Sequence, residues 1–218
     1  MPQYFIPREN IRDGRFFAGE EESHHILRVA RVKKGDLIEI FDGQGLRHLA
    51  EIDKIEDGLV SGPLRSGLES PLYKLKLTLC FAAVSRPAME SLIVQCTEAG
   101  VETFQPVISS RAQAGFFGDW ERKSPRLNNI ILAASKQCGR GSLPGLAKPL
   151  KFDDLLLEGV PSVLAMPEGK SAAEVALALA GKTEIRLFVG PEGGFTNGEL
   201  DFAAEKGALP LNLGKYTL

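Results

Sequence analysis

The chain has 218 residues, of which 44% are hydrophobic and 25% charged, with 26 Lys and Arg against 28 Asp and Glu. That length and apolar share suffice for one large or two small packed domains, and they exclude a wholly disordered chain. A formal charge of -2 excludes a polycation that coats nucleic acid, so any RNA binding must rest on local arrangement. Cys80, Cys96 and Cys138 are odd in number and far apart, which predicts a reducing compartment rather than a disulfide scaffold. No apolar run approaches the roughly 18–20 residues of a membrane span, and no basic segment followed by an apolar one opens the chain. A soluble, cytoplasmic protein without a membrane partner is expected.

In chain order, the first 65 or so residues read as short strands around one helix. Glu20 to Val32 begins acidic and ends basic, as a helix does. Strand composition follows at Leu37–Phe41, Leu46–Ile55 and Leu59–Gly62, with Gly turns at Gly35 and Gly43, and together these suggest a small, strongly bent β-barrel. The Gly-, Pro- and Ser-rich stretch Ser61–Pro71 reads as an interdomain linker, which divides the chain into 1–70 and 74–218. Beyond it, strands are predicted from Lys74, at Thr103–Ile108, Val160–Met166 and Ile185–Val189. Helices are predicted over Arg86–Ala99 and Trp120–Cys138, and after the capping box Ser171–Glu174. Strands alternating with helices indicate an α/β domain with a largely parallel sheet. Neither part is a basic arm: 10 basic and 13 acidic residues precede residue 70, and 16 and 15 follow it.

Several familiar chemistries fail on spacing. Gly169-Lys170-Ser171 ends like a phosphate-binding loop, but the earlier glycine it needs falls at Leu164. Gly139-Arg-Gly141-Ser-Leu-Pro144 begins like a dinucleotide fingerprint and ends on the wrong residue. His24, His25 and His48 stand away from any cysteine, and no metal site is expected. One segment does carry a signal. The apolar strand at Leu187–Val189 runs into Gly190-Pro191-Glu192-Gly193-Gly194, and Thr196 with Glu199 forms a second capping box. A strand, a glycine-rich turn and a capped helix make a crevice at the carboxyl end of a sheet, where α/β ligands bind. A tight turn that binds nothing would have the same local chemistry.

The wording of that segment goes further. Phe188-Val-Gly-Pro-Glu-Gly-Gly-Phe195 followed by Leu211-Asn-Leu-Gly214 resembles the cofactor region of the SPOUT RNA methyltransferases, and within them the RsmE family. His25-Ile-Leu-Arg-Val-Ala-Arg31 with Gly35-Asp36 and Phe41-Asp42-Gly43 resembles that family's PUA-like RNA-binding domain. Ser85-Arg86, Glu98-Ala-Gly-Val101, and Gln137-Cys-Gly-Arg140 with Leu143-Pro144 agree in order. The resemblance implies an α/β chain: an N-terminal PUA-like β-barrel, then a SPOUT domain with a C-terminal trefoil knot. It implies S-adenosyl-L-methionine as cofactor and methylation of N3 of a uridine in small-subunit (16S) ribosomal RNA by a homodimer. Free RNA and the assembled subunit are both open as substrate. Another SPOUT activity, such as ribose 2′-O-methylation, and a non-catalytic RNA-binding or ribosome-assembly factor stand as alternatives. Family members continue with an arginine-threonine-glutamate-threonine-alanine segment where this sequence ends at Leu218, so part of the pocket is expected outside these residues. A lysine common in the family has no counterpart around Ala88.

Carried over by position, the cofactor contacts are Gly190, Pro191, Glu192, Gly193 and Gly194 as one wall, Leu213, Gly214 and Leu218 as another, and Met166 as a third. The reaction is a displacement at an activated methyl, so positioning dominates, and no metal is implied. The N3 proton must leave, yet no base can be named from the sequence. Arginine forks suit phosphates and stacked bases, which makes Arg8, Arg28, Arg31, Arg86, Arg111 and Arg140 the RNA-binding candidates. Arg28 and Arg31, three apart, are expected on one helical face.

Overall fold

The structure is a computed structural model and describes residues 3–69, 74–82, 85–112 and 117–214. The chain forms two compact units, Met1–Leu72 with Ile131–Leu143, and Tyr73–Ile130 with Pro144–Leu218.

The first unit contains β1 (Gln3–Phe5), β2 (Ile11–Arg12), β3 (Arg15–Phe17), α1 (Glu20–His24), β4 (Leu37–Phe41), β5 (Arg47–Glu51), β6 (Lys54–Glu56) and β7 (Leu59–Leu68). They form one sheet in the order β1-β4-β5-β7-β3-β2, with β6 beside β7. Among this unit's described strands only the β1–β4 pair is parallel. Tyr4 and Ile6 at one end of that order share a core with Phe16 near the other, so the sheet is curled around it. Ser23 of α1 is buried there, where its hydroxyl accepts the Val60 amide at 3.0 Å and donates to the Ala18 carbonyl. Residues 131–143 join this unit through Lys136, 2.6 Å from Glu22, and through the Arg140 carbonyl, which accepts from Gln3.

Two expectations change here. The stretch from Ser61 to Leu68 is the body of β7, not a linker, and residues 70–71 lie outside the described ones. Its glycine and proline mark a bend: a Cβ at Gly62 would lie 1.7 Å from the Glu51 carbonyl oxygen, and the β5–β7 register shifts between Leu49 and Ala50. The helix that begins at Glu20 ends in a π-helical turn, His25–Val29. Arg31 lies beyond it at φ 57°, so it does not share a helical face with Arg28.

The second unit contains β8 (Lys76–Ala82), α2 (Arg86–Glu98), β9 (Thr103–Ile108), β10 (Gly145–Leu146), β11 (Leu150–Lys151), α4 (Phe152–Leu157), β12 (Ser162–Lys170), α5 (Ala172–Ala178), β13 (Glu184–Val189), α6 (Asn197–Glu205) and β14 (Leu209–Leu211), while α3 (Trp120–Cys138) has residues in both units. Its sheet runs β10-β9-β8-β13-β12-β14 with β11 beside β9, and every described pairing is parallel, as the strand–helix alternation predicts. Alternate residues face opposite sides. Leu164 and Phe188 pack against α4 and α6, whereas Val163, Leu187 and Leu211 pack against α5. Both predicted capping boxes form, at Ser171–Glu174 and Thr196–Glu199.

Candidate cofactor-binding site

Parallel register decides which loops meet. Leu164 of β12 lies beside Phe188 of β13, and Ala165 lies beside Leu211 of β14. The loops leaving β13 and β14, and the bulged end of β12, therefore open at the same carboxyl end of three neighbouring strands. These are Gly190–Gly194, Asn212–Gly214 and Met166–Gly169.

The first loop is a tight turn. The Gly194 amide donates to the Pro191 carbonyl at 2.8 Å, and Gly194 takes φ 65°, a left-handed conformation that favours glycine. Pro191 is buried, while Glu192 and Gly193 are exposed. Phe195 anchors the turn. Its ring lies 4.9 Å from that of Phe152, which meets Phe188 at 5.4 Å, and a Cβ on Gly190 would come within 3.2 Å of it. Two longer-range ties hold the loop. Glu199 accepts the Thr196 amide at 2.8 Å and hydroxyl at 2.9 Å, and also the Ser110 amide at 2.7 Å. Burial pushes the Glu199 carboxyl up, but these hydrogen bonds outweigh it and hold it below the usual range. Arg111 donates through Nη1 to the carbonyls of Gly193 at 2.7 Å and Phe195 at 3.2 Å.

The other two loops are tied together by Asn212. Its side-chain amide donates to the Pro167 carbonyl at 2.5 Å, its backbone amide to Lys170 at 2.8 Å, and its side-chain oxygen accepts from Gly214 at 2.7 Å. Leu213 is 51% exposed, and a Cβ on Gly194 or Gly214 would meet open space. Met166 is half-buried and lines a cleft of about 300 Å³ with Leu164, Leu200 and Ala203. Leu218 and the segment that would complete a knot lie outside the described residues.

The donor set suits a flat heteroaromatic ligand with a cationic centre. Glycine-rich backbone offers amides and carbonyls to an adenine edge, Leu213 offers an apolar face, and Glu192 an exposed carboxylate. Among the described residues no group of three or more His, Cys, Asp or Glu is placed to hold a metal, and no helix is long and apolar enough to cross a membrane.

The chain matches the family model of the RNA methyltransferase domain over residues 71–218. It belongs to that family. Residues 17–61 match the RNA methyltransferase PUA domain, which agrees with the curled sheet of the first unit. The ribosomal RNA small subunit methyltransferase E of Synechocystis sp. is 31% identical over 201 residues, covering 89% of this chain; the chain spans 65% of that relative's length. The Neisseria gonorrhoeae ribosomal RNA small subunit methyltransferase E, solved bound to S-adenosylmethionine, is 25% identical with a TM-score of 0.87, over 100% of this chain and 91% of that one. A Legionella pneumophila structure described as a methyltransferase with bound cofactor S-adenosylmethionine is 26% identical, with a TM-score of 0.85 over the same shares.

Within this RNA methyltransferase family member, the arginines expected to meet RNA have varied surroundings. Arg111 is committed to the glycine loop. Arg8 is exposed beside Gln44 and Asp42, and Arg28 and Arg31 are exposed. Arg140 donates to Ser142, and Arg86 pairs with Glu90. Glu199, Asn212, Phe195 and Gly169 escaped the sequence reading as site residues. Glu199 carried a signal through its capping box, which named a local role, and Phe195 and Asn212 stood inside the segments that carry the family resemblance.

Arg111→Ala is expected to raise the Kd for S-adenosylmethionine about tenfold, since a hydrogen bond from a charged group contributes about 1.5–3 kcal/mol. Urea unfolding should change little, because the arginine is exposed. Calorimetric titration of wild type and variant checks this.

Proposed function

We propose that this chain transfers the methyl group of S-adenosylmethionine to N3 of a uridine in small-subunit (16S) ribosomal RNA. The observation that carries the reading is the convergence of the Gly190–Gly194, Asn212–Gly214 and Met166–Gly169 segments at one end of β13, β12 and β14. It is supported by the likeness over the whole chain to the Neisseria gonorrhoeae ribosomal RNA small subunit methyltransferase E, solved bound to S-adenosylmethionine.

The residues that would hold the cofactor are the backbone of Gly190–Gly194, Leu213 and Gly214, with Met166 flanking them. The cofactor supplies a methyl group made electrophilic by its sulfonium. The chain's own work is positional. Phe195, Arg111 and Glu199 fix one wall, and Asn212 fixes the other two loops to each other, so that little reorganisation remains when the uracil arrives. When bound, the cofactor would supply the methyl group to N3, and the uracil would give up its N3 proton to a base. N3 sits on the pairing edge, so the target uridine must be unpaired or flipped out.

The test incubates the protein with small-subunit ribosomal RNA, free and as assembled subunits, and S-adenosylmethionine carrying a trideuterated methyl group. Nucleoside mass spectrometry is expected to find the label in N3-methyluridine. Label on a ribose 2′-oxygen instead would overturn the N3 assignment, and no label in either substrate would overturn the enzymatic reading.

A further inference from the structure

The second unit carries a basic cleft that the cofactor loops do not account for, and of its cations only Arg86 stood among the expected RNA contacts. Arg86 and Glu90 of α2, with Arg122, Lys123 and Arg126 of α3, line about 200 Å³ over a floor of Met89 and Leu127, each only 3% exposed. Four cationic side chains share the cleft with one carboxylate, and Asp119 stands 3.0 Å from Arg122 as a second acid. This local excess of positive charge stands in a chain whose total is -2.

Glu90 explains how two of these cations, Arg86 and Arg126, stay close. Its Oε1 accepts from Nε of Arg86 at 3.1 Å and Nε of Arg126 at 2.8 Å, and its Oε2 accepts from Nη2 of Arg126 at 3.1 Å. The two guanidiniums hold its carboxyl down at about 2, Arg126 first, so it stays charged at every working pH. Yet the pairing uses only two of the five N–H groups of Arg126 and one of Arg86. Both side chains remain largely open to solvent, at 58% and 63% exposure. Arg122 lies about one helical turn from Arg126, about 6 Å along the axis, and is 79% exposed. Simple helix–helix pinning would need one arginine per carboxylate. What is present instead is a set of oriented forks with unused donors, which suits phosphate oxygens. Forks repeated along an open cleft suit a strand carrying successive phosphates better than one free phosphate ion.

We propose that the α2–α3 cleft grips the phosphate backbone of the RNA substrate, with Arg122 and Arg126 as its main contacts. This rests on the RNA-methylating reading above and adds a site to it. The contacts are to phosphate, so they position the RNA and do not select its sequence.

The test measures binding of a fluorescein-labelled, mixed-sequence single-stranded oligoribonucleotide by anisotropy across a KCl series, using the whole chain. Arg122→Gln/Arg126→Gln is expected to weaken binding about tenfold near 100 mM KCl. It should also flatten the slope of log K against log salt by about 1.4, since each phosphate contact on a single strand contributes about 0.7. Arg126→Lys keeps the charge and loses the fork, so it should weaken binding while keeping the slope. Calorimetric affinity for S-adenosylmethionine should be unchanged in both. If the double variant is found unfolded by circular dichroism, Arg122→Gln alone carries the test, with an expected slope change of about 0.7. Wild-type slope and affinity in the folded variants would overturn the cleft proposal and leave the methylation reading standing. A change in sedimentation coefficient with an unchanged salt slope would assign the cleft to a second copy of the chain and also overturn it. A wild-type protein that neither binds RNA nor transfers a methyl group fails the methylation reading itself.

Discussion

Gly169→Ala is expected to raise the Kd for S-adenosylmethionine by roughly two orders of magnitude, or about 2.7 kcal/mol. A Cβ at this position would lie 2.3 Å from the Leu211 carbonyl carbon, 2.5 Å from the Asn212 nitrogen and 2.6 Å from the Leu211 nitrogen. All three are backbone atoms, so no side chain can swing away to make room. Either β14 leaves β12 or the bulged end of β12 is displaced, and both outcomes break the Asn212 bonds to Pro167 and Lys170. Overpacking of this kind destabilises by about 1–3 kcal/mol in a tightly packed site. Gly198→Ala is the control: nothing lies within 4 Å of its Cβ, and it falls in the first turn of α6, where alanine is the better helix former. Calorimetric titration of both variants decides the matter. Wild-type affinity in Gly169→Ala would show that the end of β14 is not part of the pocket.

Phe195→Ala is expected to lower the free energy of unfolding by about 3–5 kcal/mol, the usual effect of emptying a buried aromatic site. The ring is 7% exposed and belongs to the core formed by Cys80, Val107, Phe152, Leu164 and Phe188. It is also the residue that turns core packing into loop geometry. Removing it empties the space against Gly190 and unseats the start of the Gly190–Gly194 turn, so cofactor affinity should fall with stability. Urea unfolding with parallel calorimetry separates this variant from Arg111→Ala, which should weaken cofactor binding at near-normal stability. Phe195→Leu should recover most of the unfolding free energy, because it refills most of the volume. If Phe195→Ala unfolds at the wild-type midpoint, the ring does not bear on the core as described.

Certain features are legible in residues a few positions apart. Thr196 and Glu199, and Ser171 and Glu174, are capping boxes because a side chain three residues on can reach back to the start of its own helix. Pro87 marks the first turn of α2, and the alternation of strands with helices from Lys76 onward entails a parallel sheet. The Phe188–Phe195 wording pointed to the family that the match over residues 71–218 establishes. The near-neutral charge indicated that any RNA contact would be local.

Other features had no local sign. Gly62 and Pro63 look like linker residues, yet they bend a ten-residue strand, because what matters is the approach of the Glu51 carbonyl from β5. Arg111 looks like an RNA arginine, yet it holds carbonyls 82 and 84 residues away. Glu199 caps its own helix, as its spacing predicts, and also receives an amide 89 residues earlier in the chain, which its spacing does not predict. The membership of residues 131–143 in the first unit has the same character. By itself the sequence determined the helix starts, the parallel α/β class, the glycine turn and the family, since these depend on hydrogen bonds and periodicities spanning a few residues. Only the tertiary structure decided which loops share the end of β13, β12 and β14, and which arginines face a carbonyl, a carboxylate or solvent. Strand order brings distant segments together, and no local period in the chain records it.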